Sequence, residues 1–546
     1  MIAAANFKKR MIFVTVMLVF AQLAMADLYY FYVQLSDKSN SPFSLEQPGE
    51  FLSARAISRR ALTNVPVDST DFPANPAYVQ QLLIPGISLH STSRWLNGAT
   101  VITADSTLMA QVRALPFVSW VQYTGKKPLV QPAPRQKSKF ESTEYNYGTA
   151  VDQIKQLKGD ALHKAGFTGH GVLVGVLDAG YLNVLTNPAF DSLRLQNRLV
   201  GMRNIIDPAV DANTQHSHGA LVLSVMAANL PGVYLGTAPH ASYLLIQTEH
   251  DPTEYLCEVD FWVTGIEYAD SAGVDVVNSS LGYTEFDDAT MNYLYADMNG
   301  KVSRASRAAA MAAQKGILVF NSQGNSGTTT WKYLGAPADA DGILAVGSVT
   351  STGWVSNFSS FGPAADGRVK PDVTARGTTT ALVSTAGSSV FGNGTSFSSP
   401  VVAGLAACFL QFARAQSGFT PATATIRDLI IASGSRYLTP DDRFGYGLPD
   451  FEKAMQLLQT SDVKPTLAKS GGVYFSTSPG LLNIRTDESV NRNEIANVLI
   501  YSISGVKIAE IGINATETRN ISINSGVYLY QIRSASGIKS GKLIIP

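Results

Sequence analysis

The sequence predicts an α/β chain built on a doubly wound, mainly parallel sheet, with a small α+β unit before it and a β-sandwich after it. Three observations carry this. Between residues 147 and 460, continuous apolar runs alternate with helical stretches, the pattern of parallel strands buried on both faces. Residues 27–128 alternate short strands and helices of their own. From residue 464 to 546 helical periodicity vanishes and short β-rich runs recur between turns such as Ser504-Gly505 and Ser525-Gly526. The chain has 546 residues, so several cores are expected, since one seldom grows beyond about 250–300 residues.

The elements follow in order. Lys8-Lys9-Arg10, the apolar run Met11 to Leu23 and the small-residue site Ala24-Met25-Ala26 read as a signal peptide over residues 1–26, with cleavage near Asp27. The run is shorter than the roughly 20 residues of a membrane span, and no later segment is expected to be long and apolar enough to span one. In 27–128, strands are expected at Tyr29–Leu35, Val101–Ala104 and Val118–Gln122, and helices at Phe51–Ala61 and Ser106–Leu115. Residues 129–146, containing Pro132-Ala133-Pro134-Arg135-Gln136-Lys137, are polar, Pro-bearing and basic, as a linker would be. The central sheet draws on Val172–Leu177, Tyr243–Gln247, Val274–Asn278, Ile317–Phe320 and Ile343–Val346, and its last helix ends near Leu458. Tail strands include Asn497–Tyr501, Val527–Ile532 and Lys542–Ile545.

Four positions carry chemistry. Gly394-Thr395-Ser396-Phe397-Ser398-Ser399-Pro400 presents Ser396 at the start of an apolar helix, where free N–H groups and the helix dipole favour negative charge. A helix cap alone would explain a serine there. Asp178 closes the buried strand, at the edge where open α/β sheets place their sites; a turn with Ala179-Gly180 is the plainer alternative. His218, in Gln215-His216-Ser217-His218-Gly219, precedes another apolar helix and can exchange a proton near neutral pH. His216 competes for that role but lacks the following glycine. Asn325, in Gln323-Gly324-Asn325-Ser326-Gly327, ends a further buried strand and can donate to an oxyanion.

With the order Asp178, His218, Ser396, the chain resembles the subtilisin-like serine protease family from about Tyr147 to Leu458. Asp-Ala-Gly stands where that family usually has Asp-Ser-Gly or Asp-Thr-Gly, so Ala179 offers no hydroxyl to Asp178. Leu221 and Ser224 replace the usual residues behind the histidine, and Gly-Thr-Ser-Phe-Ser-Ser-Pro replaces Gly-Thr-Ser-Met-Ala-Ser-Pro. The resemblance implies that Ser396 attacks a carbonyl, His218 moves the proton, Asp178 orients the imidazole and Asn325 serves the oxyanion hole. It implies a substrate-binding edge at Ser280, Leu281 and Gly282, a facing pocket wall at Ser322, Gln323 and Gly324, and a pocket base near Gly335. None of these is charged, so an apolar or aromatic preference is expected. It also makes residues 27–128 a pro-domain that inhibits the enzyme, with maturation cleavage in the linker. Residues 464–546 resemble the C-terminal sorting domain of the Bacteroidetes type IX secretion system, through Ile500-Tyr501-Ser502-Ile503-Ser504-Gly505 and Ser540-Gly541-Lys542-Leu543-Ile544-Ile545. A substrate-binding sandwich is the alternative there.

Lys plus Arg and Asp plus Glu both number 42, which argues against a nucleic-acid partner. The two cysteines, Cys257 and Cys408, give no disulfide framework; a buried thiol at Cys408 and a single bridge between the two both fit. No cofactor is required; many family members hold calcium, so the resemblance leaves room for a structural calcium, but without an Asp-x-Asp-x-Asp-Gly loop no metal ligand is assigned. Asp287-Asp288 and Asp441-Asp442 read as solvated turns. The expected protein is a monomeric, secreted or cell-surface serine endopeptidase made as a zymogen, exported through a Gram-negative periplasm, with protein or peptide substrates, its own pro-domain and the type IX machinery as partners. The alternative is a weak or inactive protease scaffold that binds at the surface. A serine esterase fits less well, because the Gly-x-Ser-x-Gly elbow is absent.

Overall fold

The computed structural model describes residues 27–126, 146–250, 252–416, 421–460, 473–478, 481–486, 496–502, 506–513, 518–524, 526–534 and 537–545. The expected signal peptide and nearly all of the linker lie outside the described residues.

The N-terminal unit is an antiparallel sheet of β1 (Tyr29–Leu35), β2 (Ile87–Ser93), β3 (Gly98–Thr103) and β4 (Val118–Lys126), in the order β2-β3-β1-β4, with helices α1 (Ala54–Thr63), α2 (Pro76–Leu82) and α3 (Met109–Arg113). Alternation along β1 divides its side chains between two cores. Phe31, Val33 and Leu35 pack with Val101, Met109 and Phe117 of the same unit, whereas Tyr30 joins Trp95 and Leu96 in the core of the central domain. That double burial is why β1 reads as an apolar and aromatic run from Tyr29 to Val33. The Ser53 side chain accepts from the Ala56 N–H and fixes the start of α1, three residues later than expected. Helix α2 and strand β2 were not anticipated. Asn75 caps α2 and Pro76 opens it, a readable start signal, but β2 is polar at five of its seven positions and its alternation stops after Leu89.

The central sheet has seven strands: β5 (Leu173–Asp178), β6 (Leu199–Asn204), β7 (Ser242–Gln247), β8 (Val276–Ser279), β9 (Leu318–Ser322), β10 (Leu344–Val349) and β11 (Val373–Arg376). Their order is β11-β10-β9-β8-β5-β7-β6, and every pairing is parallel. The two strands that the sequence did not reveal, β6 and β11, are its edges. One is half exposed and the other is four residues long with Thr and Arg in it. Three short helices, α4 (Val151–Lys155), α5 (Gly159–Lys164) and α6 (Asp191–Leu195), precede α7 (His218–Ala227); α7 and α10 (Thr395–Ala415) share a core with one face of the sheet, and α8 (Cys257–Ala272) and α9 (Arg304–Gln314) share a core with the other. A hairpin of β12 (Thr380–Val383) and β13 (Ser389–Gly392) precedes α10.

One expectation needs correction. By length and composition α10 passes as a membrane span, but 94% of its apolar window is buried inside the protein. It is apolar all round because it runs through the core. Cys257 and Cys408 are both buried and free, so no bridge joins them. The tail forms a three-stranded sheet and a four-stranded sheet. Leu482 and Ile484 of the first pack against Val498, Ile500 and Ile532 of the second, as in a sandwich.

Candidate active site

Three adjacent parallel strands, β5, β8 and β9, end level with one another. Ser279 pairs with Leu177 on one side and Asn321 on the other. The site stands at this carboxyl edge. Asp178 is the last residue of β5 and is fully buried. His218 is the first residue of α7, and its Nδ1 lies 2.7 Å from Asp178 Oδ1. Gly219 makes that approach feasible: a Cβ there would fall 2.5 Å from the Gly180 carbonyl oxygen and 2.9 Å from Asp178 Cβ. The exposed His216 makes no such contact; its Nδ1 accepts from the His218 N–H and its ring stacks on that of His218 at 6.4 Å.

Asp178 Oδ1 also accepts from the Ala179 N–H at 2.8 Å. Its Oδ2 is buried and accepts no hydrogen bond among the described residues; alanine at position 179 offers it no hydroxyl. Behind the histidine, the Ser224 hydroxyl donates to the Leu221 carbonyl at 2.6 Å and accepts from the Val383 N–H at 2.9 Å. The unusual serine thus ties α7 to β12.

Ser396 is the second residue of α10, and the ring of the next residue, Phe397, packs 6.0 Å from the His218 ring. The Ser396 hydroxyl faces the Ser280 carbonyl at a long 3.4 Å, and the Ser280 hydroxyl donates to the Ser396 carbonyl at 2.9 Å. Asn325 Oδ1 accepts from both the N–H (2.9 Å) and the hydroxyl (3.0 Å) of Thr395. With its oxygen held, the Asn325 amide turns its NH2 away as a donor. The Thr395 hydroxyl in turn accepts from the Gly324 N–H at 3.1 Å. The side chains of Thr395 and Ser280 were not assigned these supporting roles from sequence, although both lie in motifs that drew attention.

The expected substrate edge Ser280-Leu281-Gly282 continues from β8, and Ser322-Gln323-Gly324 from the end of the neighbouring β9. Reciprocal hydrogen bonds between Tyr283 and Ala336, at 2.8 and 3.1 Å, bring Gly335 against the edge. A Cβ on Gly335 would sit 2.9 Å from Thr284. Nearby, Glu249, Glu254 and Glu258 each bring a carboxylate oxygen within 4.8 Å of the others. Burial pushes all three carboxyls up, and the Tyr283 hydroxyl donates to Glu249. These acids are the one such group among the described residues; no sequence spacing marks them. Asp288 and Asp441 cap local turns, accepting from the N–H groups of Thr290 and of Arg443 and Phe444.

Comparison with known proteins places this geometry in context. Residues 169–447 match the subtilase family, 30–142 a Bacteroidota peptidase S8 propeptide domain, and 478–546 a secretion-system C-terminal sorting domain. Over 308 residues the chain is 31% identical to subtilisin NAT of Bacillus subtilis subsp. natto, covering 56% of this chain and 70% of that protein. It is 30% identical to a subtilisin of Bacillus pumilus, covering 56% and 98%. The solved prenylagaramide maturation protease PagA aligns with 55% of this chain and 98% of its own, at 22% identity and a TM-score of 0.44.

Proposed function

This chain belongs to the subtilase family, and from that premise we propose that its serine-endopeptidase chemistry runs through Asp178, His218 and Ser396, with Asn325 as the side-chain donor of the oxyanion hole. The observation that carries the reading is the 2.7 Å contact between His218 Nδ1 and the buried Asp178. It fixes the imidazole tautomer, leaving Nε2 unprotonated to accept the Ser396 proton, and it stabilises the imidazolium that forms. The Ser396 oxygen adds to the scissile carbonyl. The negative charge that develops falls to the Asn325 NH2 and the Ser396 backbone N–H. His218 then returns its proton to the leaving amine, and water hydrolyses the acyl-enzyme by the same route in reverse. These steps use the chain's own side chains and need no cofactor.

The Ser280 carbonyl has a second part in this scheme. A substrate backbone N–H paired to the edge would take that acceptor and release the Ser396 hydroxyl towards His218. The uncharged pocket wall supports apolar or aromatic side chains before the scissile bond. The propeptide domain makes the protein a zymogen protease, and the sorting domain marks it for export to the cell surface or beyond. We assign the propeptide domain the role of inhibitor, the tail that of a handle for the type IX machinery, and protein or peptide chains as substrates of a monomeric enzyme.

The test is Asp178→Asn. It keeps the shape of the site but favours the wrong imidazole tautomer, and should lower kcat on a peptide substrate by about 10⁴-fold. A loss under tenfold would remove Asp178 from the proposed role.

A further inference from the structure

The pro-domain sits on the face of α8 and α9, and part of its contact is ionic and buried. Near the C-terminal end of α8, Asp270 is inaccessible to solvent. Three guanidinium groups of the pro-domain converge on its carboxylate: Arg59 and Arg60 from α1, and Arg94 from the turn between β2 and β3. The Arg60 contact is 2.7 Å, and the three arginine side chains are themselves no more than 7% exposed. The network also runs in the opposite direction. Lys315 of the central domain reaches Asp68 and Asp71 of the pro-domain at 2.9 and 3.0 Å, and Arg60 closes the circuit with Asp71 at 2.6 Å. Arg59 donates further to the Val274 carbonyl, and Arg94 to the Ser271 hydroxyl.

A buried network of this kind is a poor source of affinity, because every ion in it regains water when the two surfaces part. It is a strong source of specificity, because removing one member strands the others without solvent or partner. Apolar contacts of Tyr30, Trp95 and Leu96 with the α8 core supply the non-specific part of the seat. We propose that Asp270 is the residue by which the catalytic domain recognises its own pro-domain. It admits a surface that presents three arginines in this arrangement and rejects one that does not. The inference rests on reading residues 30–142 as an inhibitory pro-domain. Asp270 lies on the pro-domain face of α8 and is none of the residues assigned to the chemistry or the substrate edge.

The experiment uses the full chain carrying Ser396→Ala, so that it cannot digest itself. The linker is cut by limited trypsin treatment at Arg135, Lys137 or Lys139, and the product is passed over a size-exclusion column at falling concentration. The N-terminal fragment should co-elute with the remainder. With Asp270→Asn added, its dissociation constant should rise by at least about 100-fold. Arg94→Met should raise it by about tenfold alone, but by less in the Asp270→Asn background, because the two residues share one interaction. If Asp270→Asn fails to fold, the Arg94→Met comparison stands by itself. Unchanged retention in Asp270→Asn, or in Arg94→Met where only that can be made, would overturn the proposal, as would strictly additive effects of the pair. Peptide hydrolysis by the processed chain with Ser396 intact separates the underlying reading. A fragment that stays bound through Asp270 while hydrolysis runs at full rate would end the inhibitor reading and leave the recognition role in place.

Discussion

The Ser280 hydroxyl supplies the hydrogen bond that Pro400 withholds from Ser396. In α10 the Ser396 carbonyl should accept from the N–H of residue 400, but proline has none. Ser280 donates to that carbonyl instead, at 2.9 Å. Ser280 in turn accepts from Asn278, whose side-chain oxygen accepts from Ser399. A chain of side chains thus holds the first turn of α10 against the end of β8, where the proposed nucleophile and the substrate edge meet.

Ser280→Ala should therefore leave a buried carbonyl without a donor. The expected destabilisation is about 1–3 kcal/mol, read from urea unfolding, together with slower fluorophosphonate labelling of Ser396. Wild-type stability and labelling in this variant would show that the bridge has no such role.

The Asn325 amide oxygen is held by Thr395, so its NH2 is the part left for an oxyanion. Asn325→Ala should lower kcat by about 10²–10³-fold with little change in KM, because the donor acts on charge present only in the transition state. Steady-state kinetics on one peptide substrate decide this. A large rise in KM at constant kcat would instead make Asn325 a ground-state contact.

Asp178 Oδ2 is buried beside Ala179 and has no donor among the described residues. Ala179→Ser offers one, and should stabilise the protein by about 1 kcal/mol without slowing labelling of Ser396. A lower melting temperature would show that the hydroxyl cannot reach the carboxylate.

His163, in α5 (Gly159–Lys164), is buried between the Tyr147 hydroxyl at 3.0 Å and the Thr237 carbonyl at 2.9 Å. One partner can donate and the other accepts, so the neutral ring satisfies both. Burial holds its pKa down at about 4, below the ordinary 6.5. Between those values the unfolded chain binds the proton and the folded one does not, so stability rises with pH there. It should be fully present above about pH 6.5 and fall by roughly 3 kcal/mol as pH drops to 4. Unfolding midpoints across that range should slope in wild type and flatten in His163→Gln. Equal slopes in the two would assign the pH dependence to other groups.

The elements that the sequence revealed were those with a single burial rule. Strand β5 is buried on both faces and ends in a charged residue, so both its existence and the placing of Asp178 were legible. Strand β6 lies at the sheet edge and only one of its six residues is buried, so its pattern is mixed. Helix α10 is long and apolar enough to pass as a span, against the expectation that no later segment would be, since a helix through a protein core and one through a bilayer have the same composition. Within the candidate site, local motifs pointed to Ser396, His218 and Asn325. The contacts between them depend on register, as with Ser280 and Ser396, which are 116 residues apart. The Asp270 network was hidden for a related reason: Arg59 and Arg60 lie in a helix and Arg94 in a turn, and nothing in the local sequence marks the second domain that covers them.

The most direct test of the central claim is fluorophosphonate labelling of the purified full chain beside Ser396→Ala, with intact mass recorded for both. The account predicts that wild type carries one label on Ser396 and loses its N-terminal residues by a cut between 126 and 146, while the variant neither labels nor matures. Failure of wild type to label after its linker has been cut, or labelling that persists in Ser396→Ala, would contradict it.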